Sequence, residues 1–227
     1  MLLRIGQSKL RGDLSRYARS FDLLEVLAEP GTLPKPRRLR QWRAEVPEDF
    51  VFSVRLPRAV AELKVGDDAS RALGYALRAA EALQAGWLLL STPAAVTPGA
   101  RARRRLLELA ESLPRSAQRL AWEPAGLWEA EEAERVARET GFHLVRDLLR
   151  TDPPSGDTVY TRLRGLGGTR FGVGAAERLA ETLAELQEAF VVVDASGARR
   201  GALALRDAVA EITGADAGAF AFDETDG

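Results

Sequence analysis

Charged residues recur at the ends of short apolar segments whose pattern predicts β-strands. Side chains alternate between the two faces of a strand, so residues two apart share a face. In the segment Phe50–Arg55, Phe50 and Phe52 share one face, and Arg55 shares the other with Ser53. We expect the aromatic face to pack on helices, which aims Arg55 at the interior of a barrel. The same alternation turns four further charged residues inward: Glu25, Glu123, Arg162 and Asp194.

These five residues would form a ring at one end of a barrel, because barrel active sites lie at the C-terminal ends of the strands. One interpretation is a pocket for a polar, partly anionic ligand. The other is a structural ion-pair network that closes the barrel mouth. A buried charge needs a partner in either case, so pairing does not separate the two interpretations.

The residue types that the chain lacks limit which metal ions it could bind. It has no Cys and one His, His143, which argues against a zinc site. We therefore expect no bound cofactor. A Mg²⁺ site remains an alternative, with Glu25, Glu123 and Asp194 as its oxygen ligands.

A glycine-rich stretch follows the seventh predicted strand, from Gly165 to Gly174. Loops after strands seven and eight of α/β barrels often bind phosphate, helped by backbone N–H groups at a helix N-terminus. The alternative is a flexible loop, since the stretch matches neither the Walker pattern nor the dinucleotide fingerprint. The candidate anion-binding residues are Arg164, Gly167, Gly168 and Arg170, with Arg162 beside them and Gly197, Arg199 and Arg200 facing them from the next loop.

The elements that must position these residues alternate between strand-like and helix-like segments. The predicted strands lie near Leu2–Gly6, Leu23–Leu27, Phe50–Arg55, Trp87–Ser91, Arg119–Glu123, His143–Val145, Thr158–Leu163 and Phe190–Val193. Apolar residues at helical spacing predict helices within 70–83, 100–113, 130–140 and 175–189, the last with Leu179, Leu183 and Leu186 on one face.

Alternating strands and helices are typical of parallel βαβ units, which either close into a barrel or open into a doubly wound sheet. The number of strands favours an α/β fold, a (β/α)₈ TIM-like barrel over residues 1–213 that is irregular around strands five and six. The small, acidic segment 214–227 is expected to be a frayed tail.

The composition limits the classes of partner. Acidic and basic residues nearly balance, with a net charge of −1, so no overall field attracts nucleic acid. No apolar run approaches the roughly 18 residues that suggest a membrane span, and the first residues do not form a signal peptide. We expect a soluble, cytoplasmic protein without a membrane or nucleic-acid partner. The sequence does not indicate an oligomeric state.

Several segments follow one another in the order of a known family. From Trp42 to Arg55, a Pro lies five residues after the Trp and an aromatic-alternating strand ends in a base. Phe21–Glu25 is a strand that ends in Glu, and Val159–Gly165 contains Tyr-x-Arg-Leu before its glycine. Together these segments resemble the YecE-like family, domain of unknown function 72. The resemblance implies an α/β barrel and carries no agreed activity.

The chain departs from that family at several polar positions. Leu27–Gly31 stands where the family has Asn-x-Thr-Phe-Tyr, Ala61-Glu62 where it has Thr-His, and Arg164 where it has His. The family's Asn pair on the eighth strand reads Asp194-Ala195. These departures favour a divergent member that binds a small polar or anionic ligand without catalysis. The alternative is a hydrolase or lyase-like barrel enzyme that acts on a phosphate- or sugar-bearing small molecule.

Overall fold

Eight parallel strands form a single sheet in the computed structural model, which describes residues 1–114, 118–164, 171–195 and 197–214. The strands are β1 Leu2–Gln7, β2 Leu23–Leu27, β3 Val51–Arg55, β4 Trp87–Thr92, β5 Arg119–Pro124, β6 His143–Leu144, β7 Thr158–Leu163 and β8 Glu188–Val193. Their order across the sheet is β6-β5-β4-β3-β2-β1-β8-β7. The sheet curls into a nearly closed barrel, which confirms the expected fold class.

Helices cover the outside of the sheet. They are α1 Leu14–Ala18, α2 Pro36–Glu45, α3 Arg58–Ala61, α4 Asp67–Leu83, α5 Ala100–Ser112, α6 Ala130–Thr140, α7 Val173–Ala184 and α8 Ala198–Thr213. Two acidic residues occupy the first turn of α4, where they complement the helix dipole, and Gly141 ends α6 in the left-handed conformation. Within the described residues, no helix has the length and apolar character needed to cross a bilayer.

The barrel is irregular where β6 meets β7. β6 has two residues, and the described chain between β6 and β7 contains no helix. The two strands approach each other through one isolated bridge, between Arg146 and Thr161. β5 is regular, since it pairs with β4 along its whole length. The irregularity therefore lies at the sixth strand and not at the fifth.

The helix prediction needs two corrections. The fourth predicted helix ends at Ala184 and not at 189, because β8 already begins at Glu188, so Leu186 lies in the intervening turn. Helices α1, α2, α3 and α8 were not indicated by apolar spacing. In α2 only Leu39 is buried, so this helix shows no regular stripe of apolar residues. The predicted tail, apart from Gly214, lies outside the described residues.

Two apolar layers stabilise the barrel, one between sheet and helices and one inside the sheet. The inner layer comprises Leu23, Trp87, Leu89, Ala121, Val145, Tyr160, Phe190 and Val192. The Trp87 ring meets the rings of Tyr160 and Phe190 edge-on, each at 5.1 Å between centroids. These side chains fill the interior, as in other α/β barrels. A ligand can therefore approach the charged residues above this layer only from the C-terminal end.

Candidate functional site

Arg162 on β7 lies at the barrel mouth with a carboxylate beside each of its three nitrogens. Its Nε lies 3.1 Å from Glu25 Oε2, its Nη1 2.7 Å from Glu123 Oε2 and its Nη2 2.9 Å from Asp194 Oδ2. Only 2% of the Arg162 side chain is exposed. The guanidinium is thus buried and hydrogen-bonded through Nη1 and Nη2, while Nε faces Glu25 at ion-pair distance without a hydrogen bond of good geometry.

The strands bring these groups together by simple alternation. Glu25 follows Leu23 by two residues on β2, and Arg162 follows Tyr160 by two on β7, and both leading residues belong to the inner apolar layer. Each charged residue therefore points inward, one layer nearer the C-terminal end than its apolar neighbour. Parallel strands place all of these ends at the same edge of the sheet.

Two more arginines complete the network. Arg55 Nη1 lies 3.8 Å from Glu25 Oε1, and Arg164 Nη2 lies 2.6 Å from Glu123 Oε1. The structure thus joins the five residues predicted to form a ring, and adds Arg164. We call these six residues the charged ring: Glu25, Arg55, Glu123, Arg162, Arg164 and Asp194. Three guanidinium groups face three carboxylates, so the charged ring is neutral when all six are ionised.

Hydroxyl groups occupy further positions on the carboxylates of the charged ring. Ser91 donates to Glu123 Oε2 at 2.7 Å, and Ser8 donates to Asp194 Oδ1. The Tyr160 hydroxyl lies 3.0 Å from Glu25 Oε2 and 2.9 Å from Ser53 Oγ. Because a tyrosine hydroxyl has one proton, it can donate to Glu25 while it accepts from Ser53.

The environment shifts the pKa values of the two buried glutamates in opposite directions. Burial raises the pKa of Glu25, and this outweighs the attraction of Arg162 and Arg55. Burial also acts to raise the pKa of Glu123, but Arg162, Arg164 and Ser91 together hold it below its ordinary value. The pKa of Tyr160 is raised by burial and by the Glu25 charge. Tyr160 is therefore a neutral hydrogen-bond donor to Glu25.

The three carboxylates considered for Mg²⁺ surround a cation that the protein itself supplies. Glu25, Glu123 and Asp194 each approach a different nitrogen of Arg162, whose guanidinium lies where a metal bound by all three would have to lie. Elsewhere in the described chain, too, no three acidic or His side chains are grouped to hold a metal ion. His143 lies at the N-terminal end of the barrel, packed edge-on against Trp87.

A cavity of about 740 Å³ opens beside the charged ring, between the loop after β1 and the start of α8. It is lined by Gln7, Ser8, Lys9, Arg11, Phe21, Arg55, Val193, Asp194, Ala195, Gly197, Ala198, Arg199 and Arg200. Five of these residues are cationic and one is acidic. We call this space the mouth cavity. Arg55 and Asp194 belong both to its wall and to the charged ring.

The cationic residues of the mouth cavity differ in their pairing. Arg55 faces Glu25 at 3.8 Å, the longest distance among the ion pairs of the charged ring. Within the described residues, no carboxylate pairs with Lys9, Arg11 or Arg200. Among the described residues, the positive charge of these three side chains is therefore not compensated by a carboxylate.

The predicted anion site is only partly described. Arg162 is enclosed by carboxylates and presents no guanidinium that an anion could take over without breaking the charged ring. Arg164 binds Glu123 through Nη2, and its side chain is 54% exposed, so it keeps donors on the solvent side. Gly167, Gly168 and Arg170 lie outside the described residues. Arg199 and Arg200, expected on the opposite side of that site, line the mouth cavity.

Sequence reasoning missed Lys9 and Arg11 as candidate site residues. Both follow β1 within four residues of its last residue, Gln7. The rule that assigned the other charged residues, position at the C-terminal end of a barrel strand, would have found them. They were missed because they lie in a loop, where strand alternation does not indicate which way a side chain points.

Comparison with known structures places this fold among solved barrels. A DUF72 family protein from Enterococcus faecalis V583 has a TM-score of 0.70 and 16% identity, covering 92% of this chain and 95% of that chain. A DUF72 family protein from Thermotoga maritima MSB8 also has a TM-score of 0.70, with 18% identity, covering 93% and 99%. A D-psicose 3-epimerase has a TM-score of 0.58 and 14% identity, covering 93% and 99%. At these identities the likeness concerns the fold alone.

No curated protein matches this sequence. The family model described as "Protein of unknown function DUF72" matches residues 6–217, most of the chain. This match agrees with the two solved relatives and with the ordered sequence segments. The chain therefore belongs to the DUF72 family.

Proposed function

We propose that the protein binds a small anionic molecule in the mouth cavity without catalysing a reaction on it. The observation that carries the proposal is the charge of the cavity wall, with five cationic residues and one acidic residue. The adjoining charged ring is neutral and does not cancel this excess. An anion in the cavity would be attracted by Lys9, Arg11 and Arg200, with which no carboxylate of the described residues pairs.

The groups of the charged ring are poorly placed for catalysis. Glu25 is 1% exposed and is enclosed by Arg162, Arg55 and Tyr160. A general base must come within hydrogen-bond reach of the proton that it removes. Arg55 is the member of this shell with an appreciably exposed side chain, 27%, so a molecule that approaches Glu25 from the mouth cavity would meet Arg55 first. The ring is therefore better suited to closing the barrel than to chemistry.

An enzyme remains the second candidate, because one observation favours it. The pKa values of Glu25 and Glu123 are moved apart, and such separation is typical of acid and base pairs in active sites. The corresponding function is a hydrolase or lyase-like reaction on a phosphate- or sugar-bearing molecule. It requires that Arg55 leave Glu25 when substrate binds.

A second cavity of comparable size is a weaker candidate for an anion. It measures about 720 Å³ and lies between the segment before α4 and the start of α5. Two of its three cationic residues already have partners, Lys64 with Glu62 and Arg105 with Glu108. It also has no contact with the charged ring. The proposal therefore concerns the mouth cavity.

Thermal unfolding in sodium phosphate and in sodium chloride of equal ionic strength tests the proposal. A ligand that binds only the native state stabilises it by RT ln(1 + [L]/Kd), about 2.7 kcal/mol at a hundredfold excess over Kd. We expect phosphate to raise the melting temperature more than chloride does. Arg200→Ala should remove most of that difference, while Arg104→Ala should not, since Arg104 lies on α5 away from the cavity.

Equal melting temperatures in the two salts would indicate general ionic screening and would refute the anion site. Catalysis is tested separately, by incubating the protein with a panel of phosphate esters and glycosides and measuring released phosphate or sugar. We expect no release above background. Release that disappears in Glu25→Gln and persists in Arg104→Ala would establish the enzyme instead.

A further inference from the structure

We infer that an anion in the mouth cavity binds Arg55, and that Glu25 takes up one proton from solvent as the anion binds. This inference rests on the proposed anion site and adds how binding at that site is regulated. Arg55 connects the two events, because it lines the mouth cavity and is also an ion-pair partner of Glu25. The proton compensates Glu25 for the positive charge that it loses when Arg55 binds the anion instead.

Arg55 is the cation of the charged ring that lies farthest from its carboxylate. Its Nη1 lies 3.8 Å from Glu25 Oε1, which is too long for a hydrogen bond. Every other ion pair of the charged ring is 3.1 Å or shorter. The Arg55 side chain is 27% exposed, and no other carboxylate of the described residues pairs with it. An anion can therefore bind Arg55 without breaking a close contact inside the ring.

Glu25 is poorly compensated once Arg55 leaves it. Its side chain is 1% exposed, so water does not take the place of a lost partner. Arg162 Nε lies 3.1 Å from Oε2 without a hydrogen bond of good geometry, and its other two nitrogens are bonded to other carboxylates. Tyr160 donates one hydrogen bond to Oε2. Burial with so few donors favours the neutral form of a carboxyl group.

The charges of the ring lead to the same expectation. Three guanidinium groups balance three carboxylates while Arg55 belongs to the ring. When an anion neutralises Arg55, the other five groups carry one excess negative charge, and Asp194 lies in the same cavity wall as the anion's partner. One proton on Glu25 restores the balance. Burial raises the pKa of Glu25 already, and loss of the Arg55 charge, which acts to lower it, raises that pKa further.

The other two carboxylates of the ring are better supplied with donors. Burial acts to raise the pKa of Glu123, but two arginines and Ser91 hold it below its ordinary value. Asp194 accepts hydrogen bonds from Ser8 and from a guanidinium, and its side chain is 24% exposed. Each of them therefore keeps its charge more readily than Glu25 does, and Glu25 is the carboxylate that accepts the proton.

The groups that face Glu25 come from three strands and leave Oε1 as the site of the proton. Tyr160 and Arg162 approach Oε2 from β7, whereas Arg55 approaches Oε1 from β3. After burial, the Asp194 charge at the end of β8 is a further cause that raises the pKa of Glu25. The single charged residue of β1, the other neighbour of β2, pairs with acidic residues at the opposite end of the barrel. A proton on Oε1 thus replaces Arg55 and leaves the Tyr160 bond in place.

Isothermal titration calorimetry with sulfate tests the inference, in pairs of buffers that match in ionic strength and differ in ionisation enthalpy. Sulfate keeps its double charge at neutral pH, whereas a phosphate group titrates there, so a proton taken up with sulfate binds to the protein. We expect net proton uptake between about pH 6 and about pH 8, and an affinity that falls as the pH rises, by roughly threefold per pH unit with tenfold as the limit for one proton. His143 lies at the opposite end of the barrel, and burial lowers its pKa.

Two variants assign the proton and the donor. Glu25→Gln imitates the protonated side chain, so it should bind sulfate without proton uptake and with an affinity that does not change with pH. Arg55→Gln should weaken binding by roughly tenfold, because it removes a charged donor. It should also abolish the uptake, since Glu25 has then lost its partner before sulfate arrives. The control is Glu111→Gln, an exposed carboxylate on α5, which should behave as the unaltered protein does.

The outcomes separate this inference from the proposed function. Sulfate binding without proton uptake, at an affinity independent of pH, would overturn the coupling while the anion site stands. Proton uptake that persists in Glu25→Gln, or unchanged binding in Arg55→Gln, would also overturn it. The two-buffer measurement on the unaltered protein gives an answer even if Glu25→Gln does not fold. No sulfate binding at any pH would refute the anion site, and the coupling with it.

Discussion

Arg162 organises the barrel mouth at the scale of single residues. A planar guanidinium presents donors in several directions, and here each of its nitrogens faces a different carboxylate. Charges this deeply buried lose their hydration, so each must be compensated by a partner in the protein. Lys could not replace this side chain, because its ammonium is a single point and lacks the fork that spans the three carboxylates.

Glu123 gives a pH-dependent prediction. Its pKa is lowered in the folded protein because Arg162, Arg164 and Ser91 together outweigh burial. The unfolded chain therefore binds the proton more readily, and stability from this group is present above the unfolded pKa of about 4.3. It is lost as the pH falls through the folded pKa. Glu123→Gln should lower the free energy of unfolding by about 3 kcal/mol at pH 7, and by less at pH 3.

Urea unfolding at several pH values measures this difference. Glu111→Gln serves as the control, because Glu111 is exposed on α5, and it should change the stability little at any pH. A difference between wild type and Glu123→Gln that stays constant from pH 7 to pH 3 would contradict the assigned pKa shift.

At the scale of elements, small residues set how closely strands and helices approach. A Cβ on Gly6 of β1 would lie 1.7 Å from the backbone oxygen of Leu23, so only glycine fits at this strand pair. A Cβ on Gly201 of α8 would lie 2.2 Å from the Phe171 ring and 2.5 Å from its backbone oxygen. Gly201 therefore fixes the position of α8, whose first turn lines the mouth cavity.

Two glycine-to-alanine changes in helices should have opposite effects. Gly201→Ala should destabilise the protein by about 1–3 kcal/mol, because the added methyl overlaps Phe171. Gly74→Ala in α4 should stabilise it by roughly 0.5–1 kcal/mol, because its Cβ would meet only the end of the flexible Arg78 side chain, at 3.4 Å. Thermal and urea unfolding measure both, and a neutral Gly201→Ala would show that α8 can shift away from Phe171.

At the scale of the whole molecule, the barrel has one weak junction. β1 and β8 pair through five residues, whereas β6 and β7 meet at the single bridge of Arg146 and Thr161. The backbone bond there, from Arg162 N to Arg146 O, is 3.4 Å long. The mouth cavity lies on the well-paired side, where β1 and β8 hold its walls in a fixed relation.

Hydrogen exchange should reveal this asymmetry. The amides of Leu148 and Arg162, whose bonds to Thr161 and Arg146 are both 3.4 Å long, should exchange faster than those of Val191 and Val192 inside β8. The reason is that local opening requires few bonds to break at a sparsely paired junction. Mass spectrometry of peptides or amide-resolved NMR measures the rates. Equal protection of both regions would show that the junction is as stable as the rest of the sheet.

Much of the barrel follows from local sequence patterns. All eight strands were predicted within two residues at each end, because buried parallel strands are short apolar runs bounded by turns. Alternation along β3 indicated that Arg55 turns inward and that Phe52 packs on the helices, since a period of two residues is a property of the strand itself. Apolar spacing also indicated α4, α5, α6 and α7, whereas it did not indicate α1, α2, α3 and α8.

The tertiary structure decided the relations between elements. Strand alternation indicated that Arg162 and Glu123 point inward, but only the curvature of the sheet placed Arg162 among three carboxylates, where it is not available to an anion. The mouth cavity also depends on how the loop after β1 meets the start of α8. The periodicity of the sequence indicates which way the side chains of one strand or helix point. The distance between two residues that are far apart in the sequence, such as Ser8 and Asp194, depends on closure of the whole barrel.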